Sequence, residues 1–212
     1  MKEILNKFKL AKATLVYLKN PQNVDSVLNL GDQLKNKPLT ITQENLKTLK
    51  NMYTENYGLS DIKLEQLSQM PKGSLGYEYF NYLKKNNLDP NFYKYENYKA
   101  PTGLPEYIKI RLRQTHDLWH LITGFDTSEE GEAGLIAFYY AQLKSNLSGY
   151  ILCLSFVHFA RKRREELPLL LDEITRGWAL GKKAHALIAV KWEEHWEQPL
   201  KDLKLSLNLK KS

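Results

Sequence analysis

Arg111-Leu-Arg113-Gln-Thr-His116-Asp117-Leu-Trp-His120-Leu-Ile-Thr-Gly-Phe-Asp-Thr-Ser-Glu-Glu-Gly-Glu132 decides how this chain is read. At about 100° per residue, His116 and His120 lie about 40° apart on one helical face, and Asp117 falls within the same ~100° arc. Arg113 lies one turn before His116. Eleven residues separate His120 from Glu132, room for a turn and the start of a second helix. Thr127, with Glu130 three residues on, reads as a capping box for that helix. Two antiparallel helices would then gather imidazole and carboxylate groups around one pocket, a divalent-metal arrangement. The candidate ligands are His116, Asp117, His120 and Glu132, with His116 and Asp117 as candidate catalytic residues.

Two histidines four apart are more often a solvated helix face than a metal site. Here Leu118, Trp119, Leu121 and Ile122 surround the motif, which predicts partial burial. Unpaired polar groups in such a place cost several kcal/mol, and a metal or a hydrogen-bonded network removes that cost. Asp117 stands where the zinc-protease motif needs a glutamate base, so that activity is excluded.

Around this stretch the periodicity predicts an all-α, single-domain fold over residues 1–212, with about eight helices. The expected spans are 3–18, 21–36, Thr40 to Asn56, a short one near 61–69, an aromatic helix over 76–86, Pro105 to Thr123, two buried helices broken near Asn146–Ser148, and a long helix over 168–197. The Leu-rich tail 200–209 is expected to fold back on the core. Residues 87–103 read as an irregular lid or packing loop bearing Phe92, Tyr93, Tyr95 and Tyr98. No segment alternates cleanly enough to be a strand. Between Gly131 and Ala160 the only formal charges are Glu132 and Lys144, but only 16 residues lie between Lys144 and Arg161. That is short of the ~20 a membrane span needs. The small residues Gly131, Ala133, Gly134 and Ala137 suit either close helix packing or room for a ligand.

The net charge is +7, from 31 Lys+Arg against 24 Asp+Glu. It suits an anionic membrane surface or a phosphate-bearing ligand. The cations are dispersed and no nucleic-acid motif is present, so nucleic acid is not an expected partner. The N-terminal stretch reads as a helix whose lysines and apolar residues fit either a surface helix or an interfacial one. It has neither a signal peptide's long apolar region nor a transit peptide's arginines. Cys153, the one cysteine, lies in an apolar run and reads as a buried thiol of a reducing compartment.

The His-Asp-x-x-His pattern, with eleven residues between its second histidine and Glu132, is similar to that of the coenzyme Q biosynthesis protein 4 family. Gly73-Ser-Leu-Gly76 resembles the family's Gly-Leu-Gly stretch, and Arg111-x-Arg113 its Arg-Tyr-Arg. Trp192-Glu193 with Pro199-Leu200 resembles its C-terminal ending. Gln114 stands where the family usually has Glu, and Lys204 where it often has Arg. The resemblance runs from about Pro71 to the C-terminus and more weakly before that. It implies a helical, metal-binding, membrane-associated protein active on polyprenylated benzenoid quinone precursors, and a reaction that replaces the ring carboxyl by hydroxyl.

On that reading the metal is zinc first, with iron, magnesium or manganese as alternatives. Arg111 or Arg113 would hold the anionic head, and Gly134, Leu135, Phe138 and Leu152 would line the prenyl tail. Expected partners are a prenylated lipid or prenyl phosphate, a membrane surface, a second copy of the chain and other quinone-biosynthesis proteins. The expected place is the cytoplasm, peripherally on the inner face of a membrane. The rivals are a non-catalytic isoprenoid-binding scaffold and, further off, a metal-dependent phosphohydrolase.

Overall fold

The structure, a computed structural model, describes residues 2–21, 23–34, 38–92 and 100–209. Tyr93, Tyr95 and Tyr98 of the expected lid, and the last residues of the expected 21–36 helix, lie outside the described residues. Among the described residues the fold is all-α: α1 Lys2–Lys19, α2 Val24–Gln33, α3 Gln43–Thr54, α4 Leu64–Ser68, α5 Leu75–Asn86, α6 Leu104–Gln114, α7 His116–Thr123, α8 Glu129–Leu143, α9 Asn146–Lys162, α10 Leu167–Lys183 and α11 Leu200–Ser206. Three short 3-10 turns add to these, at Arg164–Glu166, Leu187–Ala189 and Trp192–Glu194. No helix is long and apolar enough to cross a membrane among the described residues.

The chain forms two compact units, Met1–Thr40 with Phe125–Lys182, and Ile41–Gly124 with Lys183–Ser212. In the first, α1 packs on α2 and α9 through Ala13, Tyr17, Leu30, Ile151 and Leu154. Thr14 and Tyr150 share a hydrogen bond of 2.9 Å across the α1–α9 contact. Helix α8 starts one residue later than the sequence predicts. Ser128, not Thr127, is the cap, its hydroxyl accepting from the Gly131 N–H at 3.0 Å. Asp126 holds that hydroxyl in turn. Helices α8 and α9 break at Lys144, which takes the left-handed conformation, and Ser145 caps the second. Helix α8 is apolar almost all round because it is buried almost all round.

Helix α10 crosses α8 at glycine. A Cβ on Gly177 would overlap the carbonyl of Gly134, and one on Gly134 would overlap the Phe125 ring. Of the two roles open to the small residues, close packing is the one this crossing fills at Gly134. Gly177→Ala is therefore expected to cost about 1–3 kcal/mol through overpacking, read as a lower melting temperature. An unchanged melt would mean that the two helices part freely.

In the second unit, α3 packs on α6 with the Tyr53 and Tyr107 rings 5.8 Å apart. The Gly73–Gly76 turn is stitched to the C-terminal segment by backbone hydrogen bonds: Leu75 N–H to Gln198 O, Gly76 N–H to Trp196 O and Leu200 N–H to Gly73 O, each 2.8 Å. A Cβ on Gly76 would push the Met70 side chain aside and sit tight against the Trp196 carbonyl at 3.1 Å. The same turn opens α5, capped by Ser74, and α5 packs on α7 and α11.

Two expected helices are divided. The span from Pro105 to Thr123 breaks at Thr115, where the hydroxyl donates back to the Arg111 carbonyl at 2.8 Å. A threonine that bonds its own helix's carbonyl in this way bends or interrupts it. The expected 168–197 helix ends at Lys183. There the C-terminal segment takes the backbone over: the His185 N–H donates to Leu207 O at 3.0 Å, and Asn208 donates its side-chain amide to Lys183 O at 2.7 Å. The tail does fold back, with Leu203, Leu207 and Leu209 buried. Cys153 is exposed on α9, a correction to the buried thiol. It sits on the solvent side of a helix whose Ile151 and Leu154 face the core.

Candidate metal centre

Because the chain breaks at Thr115, α7 begins at His116 itself and carries both histidines. Its neighbours Leu118, Trp119 and Ile122 are fully buried and fix the helix's rotation. His120 is 1% exposed, and the Tyr82 ring of α5 stacks on it at 6.5 Å. The Nε2 atoms of His116 and His120 are 3.3 Å apart, with the rings nearly perpendicular at 88°. Such a pair either passes a proton from one ring to the other or shares a cation. Two nitrogens bound tetrahedrally to one metal at ~2.0–2.1 Å lie about 3.3–3.4 Å apart. The histidines therefore stand at the separation a metal would set.

Along this contiguous stretch, His116, His120 and Glu132 each offer one ligand atom within 4.8 Å of the others. Glu132 belongs to the first turn of α8. Asp117 is not in that group. Its carboxylate acts on the Tyr79 hydroxyl of α5, which burial first and Asp117 next hold well above the usual phenol range. Two imidazoles and a carboxylate form a donor set that suits Zn²⁺ or, with open positions, Fe²⁺.

The two arginines are placed very differently. Arg111 is buried and grips Glu193 with both forks, Nη1 to Oε1 at 2.7 Å and Nη2 to Oε2 at 3.2 Å. Gly58, at φ +70°, lies over the pair, where any Cβ would overlap the guanidinium. The Tyr57 ring lies 5.8 Å from the Arg111 guanidinium. Burial and the nearby Glu193 carboxylate raise the Tyr57 hydroxyl above its ordinary range. Arg113 is exposed. Of the residues expected to line a tail, Gly134, Leu135 and Phe138 are buried in the packed α8, and Leu152 is half-buried on α9.

One polar cluster escaped the sequence reading. Buried His158 of α9 meets the Glu129 carboxylate at 3.1 Å. Arg163 meets Glu129 at 3.3 Å and Glu130 at 2.7 Å, and also Glu166. Arg163 stands in the basic run Arg161-Lys-Arg-Arg164 at the end of α9. The signal for the cluster was the antiparallel order of α8 and α9. It sets the acidic first turn of one helix beside the basic last turn of the other. Close by, burial pushes the Tyr17 phenol up to about 12, a hydrogen bond with Ser155 opposes the rise, and the carboxylates of Glu129 and Glu132 add to it.

The sequence profile of the family described as Coenzyme Q (ubiquinone) biosynthesis protein Coq4 matches residues 4–212. The mitochondrial ubiquinone biosynthesis protein COQ4 homolog of Rattus norvegicus is 30% identical over 222 residues, covering 94% of this chain and 76% of its own. The Homo sapiens homolog is 26% identical over 211 residues, with the same shares covered. A crystal structure of a Nostoc punctiforme protein superposes with a TM-score of 0.75 at 26% identity, covering 97% of this chain and 99% of that one. With the family's profile matched over nearly its whole length, this chain belongs to the coenzyme Q (ubiquinone) biosynthesis protein Coq4 family.

Proposed function

We propose that the chain holds a divalent metal at His116, His120 and Glu132, and acts there on the head of a polyprenylated benzenoid precursor of a ubiquinone-like quinone. The observation that carries the reading is the convergence of those three donors, with the histidine nitrogens already at a ligand–ligand separation. A bound metal would polarise the head or activate water or dioxygen beside it. Replacing a ring carboxyl by hydroxyl is a two-electron oxidation that releases carbon dioxide, so an oxidant such as dioxygen is required.

This chain's own residues supply the rest. Arg113, exposed and one turn before the motif, is the cation that can take the anionic group, since Arg111 is engaged by Glu193. Asp117, directly after His116, supports the centre as a second carboxylate. Of the expected tail-lining residues, Leu135 and Phe138 are already packed into the core, so the prenyl tail lies along half-buried Leu152 on α9. Burying one five-carbon isoprene unit contributes about 4 kcal/mol. Native mass spectrometry of the protein purified with its membranes tests the reading. One divalent ion and a prenylated ligand are expected. A protein that carries neither, and that takes up no prenyl phosphate or prenylated hydroxybenzoate when offered them, would overturn it.

The membrane surface is the second partner. Helix α1 turns Ala13 and Tyr17 into the core and leaves Phe8 70% and Leu15 62% exposed. Lys12 and Lys19 flank them on the same outward face. An apolar stripe edged with lysines is the pattern of a helix lying in a lipid interface. The chain is expected to float with anionic liposomes at low salt, to bind less at high salt, and to lose most binding in Phe8→Asp/Leu15→Asp. Equal flotation of that variant would reject α1 as the contact.

A further inference from the structure

The second unit holds two adjoining cavities that lie apart from the histidine pair. Leu118 is a wall of the inner one. It stands two residues from each histidine and so faces the opposite side of α7. Neither cavity has His116, His120 or Glu132 among its walls. The outer cavity measures about 200 Å³, and Ile62, Leu67, Met70 and Trp196 are its apolar walls. The exposed Asp61 and Lys63 also line it, with opposite charges. The Ile62 wall is held from behind by Asn91. The Asn91 amide donates to the Ile62 carbonyl at 2.9 Å, and its oxygen accepts from the Ile62 N–H at 3.0 Å. Ser60, Ile62, Glu193 and Trp196 are shared with the inner cavity, which measures about 10 Å³, room for one water-sized group. Two walls of the inner cavity carry a buried polar atom with no partner among the described residues: the Tyr79 hydroxyl and the Gln114 side-chain oxygen. Tyr79 is 1% exposed, and buried groups of this kind are rarely left unbonded.

We propose that the two cavities form one binding site for a neutral phenol, a single aromatic ring that carries a hydroxyl and no prenyl tail. The ring lies in the outer cavity and the hydroxyl in the inner one. Volume sets the size of the ligand. An apolar cavity of about 150 Å³ takes up benzene, so the outer space holds a ring with a small substituent and not an isoprenoid chain. The inner end sets the chemistry. A hydroxyl both donates and accepts. It accepts from the Tyr79 O–H and donates to the Gln114 oxygen. A carboxylate has no proton to give Gln114, and a hydrocarbon leaves both atoms unbonded. Charge is balanced elsewhere in the site. Arg111 engages the Glu193 carboxylate between the two spaces, and Asp61 and Lys63 offset each other, so nothing here calls for an ion. This ligand and its site are separate from the proposed metal centre and do not rest on it.

Calorimetric titration of the full chain with phenol tests it, with chelator present so that no metal ion takes part. The wild type is expected to bind one equivalent of phenol and to gain melting temperature as phenol is added. Toluene, though the more hydrophobic ring, should bind about tenfold more weakly, because it leaves both polar atoms unbonded. Tyr79→Phe removes one oxygen and keeps the ring that stacks on Trp196 at 5.9 Å. It should bind phenol about fivefold more weakly, with its toluene affinity unchanged. Ser60→Trp, at an exposed position, fills the outer cavity and should abolish binding of both rings. A wild type that takes up no phenol, or that binds toluene as tightly as phenol, would overturn the site. Phenol affinity unchanged in Ser60→Trp would overturn it too, as would a crystal structure of the phenol complex with the ring elsewhere. Since no ion is present, each of these results leaves the metal reading as it stood.

Discussion

Exchange of both His116 and His120 for alanine is expected to reduce bound divalent metal from about one equivalent to background. The two rings supply two of the three converging donors, and Glu132 alone does not hold a transition ion against buffer. Loss of a merely supporting partner weakens metal sites about 10–100-fold, so removing two direct ligands must exceed that. The helix should survive, because α7 is anchored by Leu118, Trp119 and Ile122, all fully buried, and alanine is the best helix former. Elemental analysis of purified wild type and variant, with circular dichroism as the folding control, reads the result. Equal metal in both proteins would remove the centre. Glu132→Gln provides an intermediate, keeping the imidazoles while withdrawing the only charge in the donor group.

The motif was legible before the fold because its spacing is local. His116 and His120 must share a face of any helix that holds them, and eleven residues to Glu132 leave only a turn between two helices. Caps were legible only to within a residue or two: the helix expected to open at Thr40 is capped by Thr42, and the cap expected at Thr127 falls on Ser128. What periodicity could not give was decided by distant chain. Nothing near Thr115 announces a helix break, since a threonine is tolerated in a helix until its hydroxyl takes the i−4 carbonyl. Nothing near Lys183 shows that Leu207 and Asn208 will claim the backbone there. The exposure of Cys153 turns on one residue's rotation, a distinction that an apolar run hides.

Arg111 shows the same limit most sharply, and it carries the second large effect expected. As part of an Arg-x-Arg pair before a metal motif it reads as a substrate clamp. In the fold it joins α6 to the Trp192–Glu193 segment 82 residues on, and no local pattern forecasts that. Arg111→Ala is expected to cost about 3 kcal/mol, the low end of the ~3–5 kcal/mol that follows from breaking a buried pair. The low end applies because the Glu193 side chain is 28% exposed and solvent takes up part of its charge. For a chain of this size that is a fall of about 6–12 °C in melting temperature. Arg111→Lys keeps the charge but loses the fork, and should fall between. Arg111→Met/Glu193→Met, which leaves no unpaired charge behind, should recover most of the loss. The double variant also separates the two roles. If Arg111 is a staple, it binds a prenylated hydroxybenzoate about as the wild type does, while Arg113→Ala loses affinity with its melting temperature unchanged. A stable double variant that no longer binds, beside an Arg113→Ala protein that does, would return the clamp to Arg111.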